Sequence, residues 1–183
     1  DVQITDNHKN EQAEQYLSLV KKTDEAFQYL VEYFSEVDEP TIIVMFGDHQ
    51  PAVTSRFYDS IFGKSSDELT SEELMKKYQT PFIIWANYDI EETTIEKMSA
   101  NYLSAYVMQE AGLKMTPYKK FLMRLYEKLP VLSAMGAYDA ECNYYESAKE
   151  TPYNDMVQEY QILQYNNLID TDHTVNSFFY LKE

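Results

Sequence analysis

Apolar residues at Ala13, Tyr16, Leu17, Val20, Phe27, Leu30, Val31 and Phe34 recur at the three- and four-residue spacing of one helix face, which predicts a helix over residues 10–36. Glu39-Pro40 breaks that pattern. Thr41-Ile42-Ile43-Val44-Met45-Phe46 then runs without polar alternation, as a strand buried on both faces of an α/β sheet does. A second run of this kind, Pro81 to Ala86, ends on Asn87, and its proline occupies the first position, where a strand tolerates one. Between the two runs, residues 52–79 are mostly polar. An apolar group at Phe57, Tyr58, Ile61 and Phe62 interrupts them, and Ser71-Glu72-Glu73-Leu74 starts a brief helix.

Further along, Ser99 to Ala111 reads as a helix closed by Gly112 at the left-handed C′ position, with Leu113 packing back on it. Thr116-Pro117 supplies an N-cap and a first-turn proline for the next helix, whose apolar face is Tyr118, Phe121, Leu122 and Leu125 and which Pro130 ends. Val131 to Ala137 is a candidate strand, and residues 138–150 read as a loop. After Pro152 a helix carries Tyr153, Met156, Val157, Tyr160 and Leu163 on one face, and Phe178 to Leu181 is a candidate terminal strand. There are no repeats, low-complexity tracts or linkers, so the pattern predicts one continuous α/β domain over 1–183.

Composition narrows the functions. The chain has 183 residues, 44% of them hydrophobic, which places it among globular proteins with a real core. A formal net charge of −16 argues against nucleic acid or anionic lipid as a main partner. The single cysteine, Cys142, excludes an internal disulfide framework; it lies in a polar loop without an activating base and reads as structural. No apolar run reaches the length of a membrane span, and there is no signal-peptide pattern. The polar start without methionine predicts a piece of a longer protein.

The candidate chemistry lies at the end of the first apolar run, in Gly47-Asp48-His49-Gln50-Pro51. Open α/β sheets bind ligands beyond the carboxyl ends of their strands. A carboxylate beside an imidazole suits Zn, Mn or Fe better than Ca, which prefers oxygen shells, and a glycine at the strand end lets both side chains turn toward one ion. The alternative is a loop aspartate capping backbone N–H groups beside an exposed histidine. Two ligands also do not complete a site. His8, in a polar and frayed terminal segment, and His173, in the Asp170-Thr171-Asp172-His173 turn, read as solvated groups. Asp24 falls on the apolar stripe of the first helix, where a carboxylate requires a hydrogen-bond partner. No Gly-rich phosphate loop, nucleophile elbow or Ser/His/Asp set is present, and Thr41, Thr54 and Thr80 have no context that marks a nucleophile.

The blocks Tyr16-Leu17-Ser18-Leu19 with Thr23-Asp24-Glu25-Ala26-Phe27, Ile43-Val44-Met45-Phe46-Gly47-Asp48-His49, and Thr80-Pro81-Phe82-Ile83-Ile84-Trp85-Ala86-Asn87 resemble the later half of the sulfatase-like domain. Within the alkaline-phosphatase superfamily they are most similar to lipoteichoic acid synthases and related membrane phosphoglycerol transferases. Ser99 to Gly112 and Tyr160 to Asn167 resemble the same group, so the likeness spans most of the chain. The resemblance implies part of a three-layer sandwich, a largely parallel sheet flanked by helices. It implies that Asp48 and His49 are ligands of a divalent metal, Mn²⁺ or Mg²⁺ first and Zn²⁺ as the alternative, and it suggests a substrate contact at Gln50. The reaction implied is double displacement at phosphorus, with phosphatidylglycerol or another phosphodiester or sulfate ester as substrate.

The family's nucleophile block has no counterpart here. Its substrate histidine lies further upstream of Gly47-Asp48-His49 than Asn7-His8 does, so that role is not carried onto His8. The expectation is therefore a portion of an extracytoplasmic enzyme of the cell envelope. The same expectation places the N-terminal part of the domain and the anchoring membrane helices outside this chain and holds the chain inactive alone. A sulfatase or phosphonate hydrolase, and a non-catalytic α/β binding or structural domain, are the competing expectations.

Overall fold

The computed structural model describes residues 1–181. They form two compact units, Asp1–Asp89 and Ile90–Glu183.

In the first unit, α1 spans Glu11–Ser35. The Asn10 side chain caps it by accepting the Ala13 N–H at 3.0 Å, and Glu11 and Glu14 place negative charge in the first turn, where the helix dipole favours it. The segment before the helix is tied to it rather than frayed. Val2 N–H donates to Ser18 Oγ at 2.8 Å and Ile4 N–H to Glu14 Oε1 at 2.9 Å. Strand β1 is Ile42–Phe46; α2, Ser55–Phe62, forms from the apolar group of the polar stretch; α3 is Ser71–Met75; β2 is Phe82–Ala86. Capping boxes at Ser65/Glu68 and Thr70/Glu73 start the short helical turns between α2 and β2.

β1 and β2 pair antiparallel, Ile42 opposite Ala86 and Phe46 opposite Phe82. A largely parallel sheet is the sequence expectation, and every strand pair among the described residues is instead antiparallel. The connection explains the first pair. Residues 47–81 leave from the end of β1 and are held there, so β2 starts where β1 stops. Neither strand is fully buried: Ile42–Met45 are half-buried and Phe46 is 60% exposed. The α1 stripe is likewise open, with Ala13 its one buried residue, because a helix and a two-stranded ribbon leave apolar sides that nothing else in this unit covers among the described residues.

The second unit holds nearly all of the core. Apart from Ala13 and Met75, every buried apolar residue described belongs to it. Helix α4 is Ala100–Glu110, and its C-terminus makes the paired bonds of a Schellman end: Gly112 N–H to Gln109 O at 3.0 Å and Leu113 N–H to Met108 O at 2.9 Å. Gly112 has φ 63°, but Leu113 stays 58% exposed instead of packing back. Helix α5, Pro117–Tyr126, is capped by Thr116 and buries Phe121, Leu122, Met123 and Leu125.

The stretch expected as one strand is a hairpin, β3 (Val131–Ser133) and β4 (Gly136–Tyr138), with β5 (Tyr144–Tyr145) added to β4. Gly136 turns it at φ 135°, where a Cβ would lie 2.6 Å from the Tyr145 carbonyl oxygen. Helix α6, Asn154–Leu168, buries Val157 and Tyr160. The expected terminal strand is instead the end of a helical turn, α7 (Asn176–Phe179). With no strand edge engaged, Phe179 stacks its ring 5.2 Å from that of Tyr118 on α5.

Candidate functional site: the turn after β1

The ladder continues one residue past β1, with Gly47 N–H donating to Pro81 O at 3.0 Å. Thr80 Oγ1 then donates to Gly47 O at 2.8 Å. A Cβ on Gly47 would come within 2.9 Å of Thr80 Cβ, so the glycine is required by this close approach and not by a left-handed backbone. Asp48 and His49 follow, with side chains 83% and 77% exposed.

Asp48 Oδ1 accepts the His49 backbone N–H at 2.9 Å, as the capping alternative anticipates. That bond uses one carboxylate oxygen. The other, Oδ2, lies 3.6 Å from His49 Nε2. His49 Nδ1 is 2.8 Å from Gln50 O. A carbonyl accepts only, so in the neutral ring this contact places the proton on Nδ1 and leaves Nε2 its lone pair. The two unused donors are thus an anionic oxygen and an imidazole nitrogen. First-row ions bind such atoms at about 2.0–2.2 Å, so a separation near 3.6 Å lies within the span of two ligands on one ion. The pair fits a divalent metal as half of a site. Among the described residues no group of three or more His, Cys, Asp or Glu side chains is arranged to hold a metal.

The other residues singled out from the sequence do not join this pair. The Gln50 amide nitrogen donates to the Gln79 carbonyl, which fixes where this side chain lies beside the pair. Asp24 is exposed and needs no protein partner. His8 is half-buried, with Nδ1 2.9 Å from Ser60 Oγ on α2. His173 is solvated and paired with Asp170 Oδ1 at 2.6 Å. Cys142 is exposed, at φ 64° in the turn after Asp139. Thr80 and Tyr58, whose hydroxyl donates to Pro51 O at 2.8 Å, shape the turn and were not singled out for that role; only the Thr-Pro pair before β2 hinted at a defined corner.

Comparison with known proteins agrees with the architecture. A putative cyclic beta-1,2-glucan modification protein of Rhizobium meliloti (strain 1021) is 29% identical over 120 residues, which are 64% of this chain and 19% of that protein. The chain thus spans about a fifth of the curated relative it matches. The solved structure of the Streptococcus pyogenes phosphoglycerol transferase GacH, in complex with sn-glycerol-1-phosphate, matches with a TM-score of 0.65 at 20% identity, over 94% of this chain and 41% of that one. At that identity the likeness is one of fold, and it bears out the α/β class. The family model described as Sulfatase matches residues 1–113, more than half of the chain, and the chain therefore belongs to the sulfatase family.

Proposed function

We propose that this chain is part of a metal-dependent phosphoglycerol transferase of the bacterial cell envelope, with Asp48 and His49 as two ligands of a divalent cation. The observation that carries the reading is the convergence of Asp48 Oδ2 and His49 Nε2 within 3.6 Å, exposed at the end of β1, with their remaining polar atoms already bonded to the protein. The mixed carboxylate–imidazole donor set suits Mn²⁺ or Zn²⁺, and Mg²⁺ enters through the family resemblance rather than through these donors. A cation bound there lowers the pKa of a hydroxyl nucleophile and offsets charge on phosphoryl oxygens. The residues of this chain hold and orient; the nucleophile and further ligands come from elsewhere in the protein.

The substrate class is a phosphatidylglycerol-type phosphodiester. It is supported by fold likeness to a phosphoglycerol transferase that binds sn-glycerol-1-phosphate. A sulfatase or phosphodiester hydrolase of the same family is the second reading, favoured by the Sulfatase match over residues 1–113. The site is extracytoplasmic in this proposal, where its substrates are. No helix among the described residues is long and apolar enough to cross a membrane.

Calorimetric titration of Mn²⁺ into the protein carrying this chain, beside Asp48→Ala, tests the ligand role. Affinity should fall at least tenfold in the variant, and equal affinity would refute the reading, leaving a non-catalytic domain. The chain alone should release no p-nitrophenol from bis(p-nitrophenyl) phosphate, and turnover by it would contradict the division of the site.

A further inference from the structure

The turn that carries Asp48 and His49 is anchored at every position around them. Gly47 is held through both its N–H, to Pro81 O at 3.0 Å, and its carbonyl, from Thr80 Oγ1 at 2.8 Å. The Gln50 side chain donates to Gln79 O, and Pro51 O accepts from Tyr58 at 2.8 Å. Residues 47, 50 and 51 are therefore tied to the corner 79–81 and to α2, and the two exposed side chains project from a fixed backbone. One tie also reaches the imidazole. Gln50, whose amide donates to Gln79 O, also places its own carbonyl 2.8 Å from His49 Nδ1.

We infer that Thr80 and Gln50 are positioning residues that pre-set His49 in the Nδ1–H tautomer, with Nε2 and Asp48 Oδ2 presented together to a cation. The inference rests on the metal reading above. Its physical basis is that a ligating imidazole is oriented, and its basicity raised, by the acceptor on its other nitrogen. A cation that meets pre-arranged donors also spares the ordering of two exposed side chains. A purely structural stitch would keep the ribbon end from fraying and would leave the tautomer and metal affinity unaffected.

The test needs two measurements. In the metal-free protein carrying this chain, the ¹⁵N shifts of His49 should report a proton on Nδ1 at a pH where the ring is neutral. Finding the proton on Nε2 would overturn the inference without any variant. Mn²⁺ affinity, read from the free-ion electron paramagnetic resonance signal, should then weaken about tenfold or more in Thr80→Val and Gln50→Ala and stay near the parent value in Thr80→Ser. If both variants keep a folded spectrum and bind Mn²⁺ as the parent does while Asp48→Ala does not, positioning is refuted and the metal site stands. If Asp48→Ala also binds as the parent does, the metal reading fails and this inference with it.

Discussion

Asn87 and Thr41 close the ribbon at the end away from the candidate ligands, with Asn87 Oδ1 accepting the Thr41 N–H at 2.7 Å. The same amide shares its nitrogen among the carbonyls of Phe34, Val37 and Glu39, at 3.1, 2.8 and 3.0 Å. One side chain thus ties the last turn of α1, through Phe34, and the connection after it, through Val37 and Glu39, to the start of the β1–β2 ladder. Asn87→Ala should cost about 2–3 kcal/mol in urea unfolding, since partly buried acceptors lose their partner. Asn87→Asp should be no better, because a carboxylate cannot donate; a variant as stable as the parent would refute the role.

Three glycines separate crowding from backbone conformation. At Gly136 both apply, φ 135° and a Cβ 2.6 Å from backbone oxygen, so Gly136→Ala should be the worst, roughly 3 kcal/mol or more. Gly47→Ala meets Thr80 Cβ at 2.9 Å and should cost about 1–3 kcal/mol. Gly63→Ala has open space and only φ 70° against it, so about 1 kcal/mol is expected. Denaturant midpoints that rank the three otherwise would count against this account.

Glu73 should titrate unusually low. The Lys64 ammonium, 2.7 Å away, and the Thr70 backbone N–H hold its pKa at about 2 instead of 4.5. A depressed folded pKa stabilises above the unfolded value and is lost as pH falls, so this contribution should be complete above about pH 4.5 and fade toward about pH 2. Carboxyl ¹³C shifts across that range should follow the low midpoint, and Lys64→Met should move it back up. An unchanged midpoint in Lys64→Met would rule out the ion pair as the cause.

Asp139 is the buried acid of the second unit, 3% exposed. Burial pushes its pKa up, but donation from the Asn143 side chain and N–H, the Tyr145 hydroxyl and the Glu141 N–H outweighs that and leaves it below 3.8. Its contribution is present above that value and lost as pH falls through the lower folded one. Asp139→Asn turns an acceptor oxygen into an NH₂ facing donors, and should lower the thermal midpoint by several degrees at pH 7. An acid unfolding limb unchanged in this variant would discount the carboxylate.

Much of this protein is written in local pattern. The helix phases, the Thr116-Pro117 start, the Gly112 stop and the two apolar strands follow from spacing and propensity, which act within a few residues. The place of Asp48 and His49, just past the end of an apolar run, was legible for the same reason. Resemblance, not periodicity, supplied the family. The antiparallel return of β2, the hairpin at Gly136, the helical turn at Phe178 and the commitment of Gln50 to Gln79 were decided by tertiary structure. The β1–β2 ladder and the bond from the Gln50 side chain to Gln79 join groups 29 or more residues apart, which adjacent positions in a sequence do not encode; the Gly136 hairpin pairs near neighbours, and it is the close approach of Tyr144 and Tyr145 that fixes its glycine.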